Sequence, residues 1–282
     1  APPLPTARTE VAVATVGSRI YVIGGSGSGN VDQAVNEEYD TATQKWRERA
    51  RIPQGMNHIG AVGYAGKVYT FGGFDQLDQS PVADAYVYNP TTDRWSAIAP
   101  LPTALGSASV AVLQGKIHIV GGRGTESVTT HFIYDPATNT YRIAAPLPHP
   151  RDHMVLVAAA GKLFAIGGRL NTFAHNTAYN EVYDPATDRW QEMAPLPTAR
   201  SGCAAALFKN RILVMGGERS GGIFAQNEAY DPATNQWTAL APLPDGRHGT
   251  GAAVIGDSLY VPAGAPVNGG SRQSASLLIF TW

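Results

Sequence analysis

Ala108-Ser109-Val110-Ala111-Val112-Leu113, the turn at Gly115-Lys116, Ile117-His118-Ile119-Val120 and then Gly121-Gly122 make up the stretch whose reading decides the fold. Small and branched residues before a Gly-Lys turn and β-favouring residues after it spell a hairpin. Further on, Tyr134-Asp135-Pro136-Ala137-Thr138-Asn139 is followed by Tyr141, with Pro where its fixed φ suits a tight turn between two more strands. The unit recurs. Gly-Gly pairs stand at Gly24-Gly25, Gly72-Gly73, Gly121-Gly122, Gly167-Gly168 and Gly216-Gly217, with Ala263-Gly264 in the sixth place, at spacings of 48, 49, 46, 49 and 47. After each of the first five comes an aromatic and a turn former, Tyr39-Asp40, Tyr88-Asn89, Tyr134-Asp135, Tyr183-Asp184 and Tyr230-Asp231. Seven residues past each Tyr stands a second ring, Trp46, Trp95, Tyr141, Trp190 and Trp237. Apolar spacing of helical period is absent.

These residues resemble the kelch motif, an apolar strand ending in Gly-Gly, then Tyr-Asp, then Trp. The resemblance spans nearly the whole chain. It implies an all-β, six-bladed kelch β-propeller of four-stranded antiparallel blades packed radially about a channel. One domain over 1–282 is expected, with repeats at roughly 3–52, 53–99, 100–145, 146–194, 195–241 and 242–282. In repeats two to five, twelve residues lead from the Tyr to a Pro-Leu-Pro connector. Counting on from Phe280, which holds the Tyr place, Thr281, Trp282, Ala1 and Pro2 fill only four of the eleven positions before Pro3. The last blade is therefore expected to lack most of its outer strand, which would ordinarily come from residues upstream of Ala1.

With 44% hydrophobic and 15% charged residues, 31 Gly and 20 Pro, the composition suits many short strands and tight turns. A net charge of -1 supplies no field to gather a polyanion, so no nucleic-acid partner is expected. The single Cys203 rules out an internal disulfide and a multi-thiolate metal site. It falls among small residues and reads as an inert buried thiol. No run approaches a membrane span and the first residues read as no signal peptide, so a soluble chain of unassigned compartment is expected. Arginine-heavy usage favours a bacterial source by habit. Gly25-Ser26-Gly27-Ser28-Gly29-Asn30 precedes no helix and reads as a loop rather than a phosphate cradle.

In an up-and-down sheet the Pro-Leu-Pro connectors and the loops after Gly-Gly share one rim, where long loops on a rigid scaffold carry recognition. Sixteen residues before each Gly-Gly position stand Arg8, Met56, Leu105, Arg151, Arg200 and Arg247, and the loops add Arg123, Arg169, Arg219 and Arg272. All five lysines map to or beside hairpins of the other rim. Guanidinium groups bind carboxylates bidentately, so Arg8, Arg123, Arg151, Arg169, Arg200, Arg219 and Arg247 are candidate contacts to an anionic protein, peptide or carbohydrate ligand. The competing reading pairs them within the scaffold, since Asp32, Asp75, Asp78, Asp84, Glu126, Asp152, Glu218 and Asp245 lie on the same rim.

Two residues past the aligned Arg place come Glu10, His58, Ser107, His153, Gly202 and Gly249. If the chain is an enzyme, Glu10, His58 and His153 are the candidate acid–base residues. Zinc and calcium ligand spacings are missing, and neither metal nor cofactor is expected. Cys203 offers nothing resembling the copper site of galactose oxidase. Kelch-type resemblance implies a binding module first, a sugar-acid mutarotase or epimerase second, and a purely structural or engineered scaffold third. Fold likeness alone does not choose among them.

Overall fold

The computed structural model describes residues 1–76 and 79–281. Six successive antiparallel sheets, five of four strands and a last one of three, give the strand content of a six-bladed β-propeller. The first sheet is typical, running Ala12–Val16, Arg19–Ile23, Asn36–Asp40 and Lys45–Arg49, each strand paired with the next. Helical structure among the described residues amounts to three single 3-10 turns, and no helix is long and apolar enough to cross a membrane. The last sheet, Ala253–Ile255, Ser258–Pro262 and Leu277–Thr281, has no fourth strand among the described residues, in line with the connector count. Trp282 and the rim acid Asp78 lie outside the described residues.

The chain divides into two compact units, 1–106 with 249–282, and 107–248. In the first unit, apolar cores join sheet six to sheet one, through Leu4, Val22, Tyr39, Tyr260 and Leu277, and sheet one to sheet two, through Tyr21, Ile23, Val68 and Tyr88. In the second, Ile133, Met154, Leu163 and Tyr183 join sheets three and four, and Phe164, Leu196, Ile212 and Tyr230 join sheets four and five. First strands consist of small residues because they approach one another closely. A Cβ on Gly63 would fall 1.8 Å from the Thr15 carbonyl of the neighbouring sheet.

The repeated aromatics act as latches as well as core. Tyr183 is fully buried and donates its hydroxyl to Asp188 Oδ1 at 2.7 Å. The same carboxylate accepts the Ala145 N–H of the preceding repeat at 3.0 Å, while Trp190 Nε1 donates to the Ala145 carbonyl at 2.8 Å. One residue is thus held through both its N–H and its carbonyl. Tyr230, Asn235 and Trp237 hold Ala194 likewise, and Tyr88, Asp93 and Trp95 hold Ala50. The acceptors Asp93, Asn139, Asp188 and Asn235 all have φ of 52–56°, a left-handed conformation that Asn and Asp tolerate best among residues with a side chain.

The Gly-Gly pairs join sheets through the main chain. Gly168 N–H donates to Arg200 O at 3.0 Å, and a Cβ on Gly167, at φ 63°, would meet that oxygen at 2.7 Å. Equivalent bonds run from Gly25 to Met56, Gly73 to Leu105, Gly122 to Arg151, Gly217 to Arg247 and Gly264 to Arg8.

Candidate functional site

The aligned arginines begin as strand-leading residues whose carbonyls take the Gly-Gly bond. Three of their side chains then turn back into their own sheets. Arg8 donates to the carbonyls of Gly24, Val35 and Val22 and pairs with Glu37 at 2.7 Å. Arg151 bonds the carbonyls of His149 and Ala165 and pairs with Glu181 at 2.5 Å. Arg200 bonds the carbonyls of Gly216, Thr198 and Val214 and pairs with Glu228. All three are 0% exposed. Burial lowers the pKa of Arg8 and Arg151, with Glu37 and Glu181 opposing. These three are therefore scaffold staples, the competing reading given above, and their donors face inward rather than toward a ligand.

A sequence signal for that role exists in the second residue of each third strand. It is Glu37, Glu181 and Glu228 where the rim residue is Arg, but Tyr86 and Phe132 where it is Met56 and Leu105. Arginine and acid go together in sheets one, four and five, whereas in sheet six Arg247 stands with Leu278 at that strand position. Arg247 is also buried, at 4%, and burial lowers its pKa against the charge of Asp245. Of the loop arginines, Arg169 is buried, Arg123 is half-buried with Nη1 3.3 Å from Asn171 O, and Arg219 is exposed over the Phe224 ring at 5.3 Å.

Where each first strand begins, the chain turns through one left-handed residue: Glu10 (φ 53°), His58 (53°), Ser107 (54°), His153 (52°), Gly202 (65°) and Gly249 (65°). For a residue with a Cβ this conformation costs about 1–2 kcal/mol. Sheets five and six avoid that cost with Gly, whereas sheets one to four carry Glu, His, Ser and His.

In the first unit, Glu10 and His58 meet, Oε2 to Nε2 at 3.0 Å, both largely buried. The other ring nitrogen of His58 contacts Asn57 Oδ1, and Asn57 Nδ2 donates to Asp32 Oδ1 at 2.6 Å. In the second unit, His153 Nδ1 lies 2.5 Å from Asp152 Oδ1 and its Nε2 lies 2.9 Å from Arg169 Nη2. A guanidinium only donates, so Nε2 is the acceptor and the imidazole proton sits on Nδ1, toward Asp152. Arg169 also donates from Nε to Asp152 Oδ1 at 3.1 Å and from Nη1 to Glu218 Oε1 at 2.7 Å. Glu218 Oε2 in turn stands 3.4 Å from His248 Nε2. Ser127 donates to Asp152 Oδ2 and is tied to Asn171 through both its main-chain N–H and its hydroxyl. Burial would raise the Asp152 pKa, but the bonds from His153 and Ser127 and the charge of Arg169 outweigh it and hold the carboxyl well below its usual range.

Four segments far apart in sequence thus supply one buried run of acids and bases, Asp152, His153, Arg169, Glu218 and His248. His248 was missed in the sequence. It precedes the left-handed position, where Thr9, Asn57, Asp152 and Ser201 stand in other repeats, a mostly polar column visible on alignment. His149, Glu181 and Glu192 form a group whose donor atoms lie within 4.8 Å of one another. The Arg151 guanidinium already balances Glu181 there. Cys203 is buried, and burial pushes its thiol up to about 11.

A family model, the KLHDC2/KLHL20/DRC7 Kelch-repeats domain, matches residues 1–147 and 142–264. The chain is 36% identical over 129 residues to N-acetylneuraminate epimerase of Pasteurella multocida, a stretch covering 43% of this chain and 33% of that protein. It is 30% identical over 131 residues to Kelch-like protein terF of Aspergillus terreus, covering 43% and 28%. With mouse Kelch-like protein 35 it shares 32% over 128 residues, covering 45% and 21%. The matches thus span a fifth to a third of these relatives. A solved structure titled "Structure of YjhT" superposes on the whole chain and 97% of its own with a TM-score of 0.86 at 18% identity, a likeness of fold.

Proposed function

Because the chain belongs to the Kelch-repeat domain family, whose members generally bind proteins, we propose that it is a recognition module for a ligand bearing a carboxylate, an acidic peptide or a sugar acid. The observation that carries this reading is the use of Glu10, His58, Ser107 and His153 at left-handed turns that Gly202 and Gly249 form without strain. A scaffold selected for stability alone gains nothing from those side chains, and it gains little from burying Asp152, Arg169 and Glu218, since ionised groups lose hydration on burial. Strain and buried charge retained within each unit support a role in ligand binding. Arg123 and Arg219, on the loops of the same unit, are the ligand-facing guanidinium groups in this reading, and Arg169 orders the network beneath.

An array of glycans and acidic peptides, followed by calorimetry on the hits, tests it. Arg219→Ala and Arg123→Ala are expected to weaken the best anionic ligand about tenfold or more, each removing a charge-assisted hydrogen bond, with unfolding midpoints unchanged. Unaltered affinity in both variants refutes the assignment.

Sugar-acid epimerisation or mutarotation is a second reading, favoured by the Glu10–His58 pair and the Asp152–His153 pair, each a carboxylate against an imidazole within hydrogen-bond reach. The relative named for N-acetylneuraminate epimerase gives it added support. Proton NMR of anomer interconversion in N-acetylneuraminate distinguishes the two readings. A rate above the uncatalysed one that falls in Glu10→Gln supports catalysis, and saturable binding with no added rate supports recognition alone.

A further inference from the structure

At the Tyr-Asp turn a row of side chains crosses each sheet: the first residue of the second strand, the turn residue, and the first residue of the fourth strand. In sheets one, three and four the turn Asp is the anion of that row. Its Oδ1 accepts the N–H two residues on, from Ala42, Ala137 or Ala186. Its Oδ2 takes the cation of the second strand, in Arg19–Asp40 at 3.0 Å, Lys116–Asp135 at 2.5 Å and Lys162–Asp184 at 3.0 Å.

Sheet two breaks the pattern. Its row is Lys67, Asn89 and Arg94, with Asn89 directly opposite Arg94. Asn89 Oδ1 accepts from Thr91 N–H at 3.0 Å, so the turn is unchanged. The amide nitrogen therefore occupies the place that Oδ2 holds in the other sheets, and a donor stands where an acceptor would be. Lys67 and Arg94 pair with no carboxylate among the described residues. The neighbouring Asp93 is committed to Tyr88 and to the Ala50 N–H. Over this row lies an open cavity of about 520 Å³, lined by Lys67, Val87, Asn89, Thr92, Arg94 and Ser96. Its size is that of a small-molecule site.

We propose that this pocket on sheet two binds the phosphate or sulfate group of a small polar molecule. Two cations, an amide donor and two hydroxyls line it and no acid does, which suits a tetrahedral oxyanion with three or more acceptor oxygens. The site is distinct from the loop-side network and does not depend on the function proposed for it. The one-atom change from Asp to Asn at the turn accounts for its electrostatics.

Calorimetric titration of the full chain at low ionic strength, with inorganic phosphate, sulfate and glucose 6-phosphate, tests the proposal, with glucose and sodium chloride of matched ionic strength as controls. Saturable binding of the oxyanions is expected. Lys67→Gln and Arg94→Gln, both at exposed positions, should each weaken it about tenfold, and Asn89→Asp, which restores the acid of the other sheets, should abolish it. Glucose 6-phosphate binding more tightly than inorganic phosphate identifies a phosphorylated sugar as the source, and equal binding identifies the free anion. Heats reproduced by sodium chloride, or binding unaltered in Asn89→Asp, overturn the proposal.

Discussion

Replacing Arg200 by Ala removes a guanidinium from Glu228 and from three main-chain carbonyls at once. Glu228 is 6% exposed and keeps only the Thr198 hydroxyl, at 2.8 Å, as a partner of those described. Breaking a buried pair from one side costs about 3–5 kcal/mol, because the remaining charge stays out of water. The stranded carbonyls would add about 1–3 kcal/mol each if dry, but the vacated volume admits water and the terms overlap. We expect about 4 kcal/mol in all, a drop in the thermal midpoint of about 10 °C for a chain of this size. Replacing both partners, as Arg200→Leu with Glu228→Phe, reproduces the combination that Leu105 and Phe132 form in repeat three and should recover most of the loss. Urea and thermal unfolding of wild type, single and double variants measure this directly. A single variant within about 1 kcal/mol of wild type, or a double no better than the single, refutes the staple.

Other expectations follow from the same geometry. His118 and His131 lie 2.8 Å apart, Nδ1 to Nε2, and burial depresses their pKa values to about 3 and about 4. The unfolded chain takes up these protons from about pH 6.5 downward while the folded chain refuses them, so stability falls between about pH 6.5 and pH 4. His118→Phe with His131→Asn, borrowing Phe164 and Asn180 from repeat four, should flatten that arm of a pH-unfolding series, and an unchanged slope would count against the pair. Asp188→Asn should be nearly neutral at pH 7, since Asn235 makes the same two bonds, whereas Asp188→Ala should lose about 1–3 kcal/mol by urea titration. Cys203 should resist iodoacetamide at pH 8 in the folded chain and react once unfolded, and comparable rates in the two states would contradict its burial.

The repeat was legible because its marks are backbone demands. Gly167 and Gly168 need positive φ and room for a carbonyl, and Tyr183 with Trp190 must reach Asp188 and Ala145, so few residues serve there. That the last sheet has three strands among the described residues was legible by counting. The sequence left Arg8, Arg151 and Arg200 open between ligand contact and scaffold pairing for a definite reason. Their alignment on one rim was visible, but each partner acid lies 28–30 residues on, within the third strand, and the rim loops held nearer acids to suggest an open field. The run from Asp152 to His248 was not legible as a whole. Its members stand in four segments, and the register of the sheets, with the Ser127–Asn171 tie, aligns them.

Main-chain atoms alone form the bond from each Gly-Gly pair to the repeat that follows, whether Arg, Met or Leu supplies the carbonyl. That bond makes no demand on the side chains at those positions, while the Tyr–Trp latches and the apolar cores add a hold of their own. A repeat with this main-chain attachment keeps it whatever its outer residues are, so the exchange of Asp for Asn at position 89 changes the charge of one surface and leaves the join beside it as it is elsewhere.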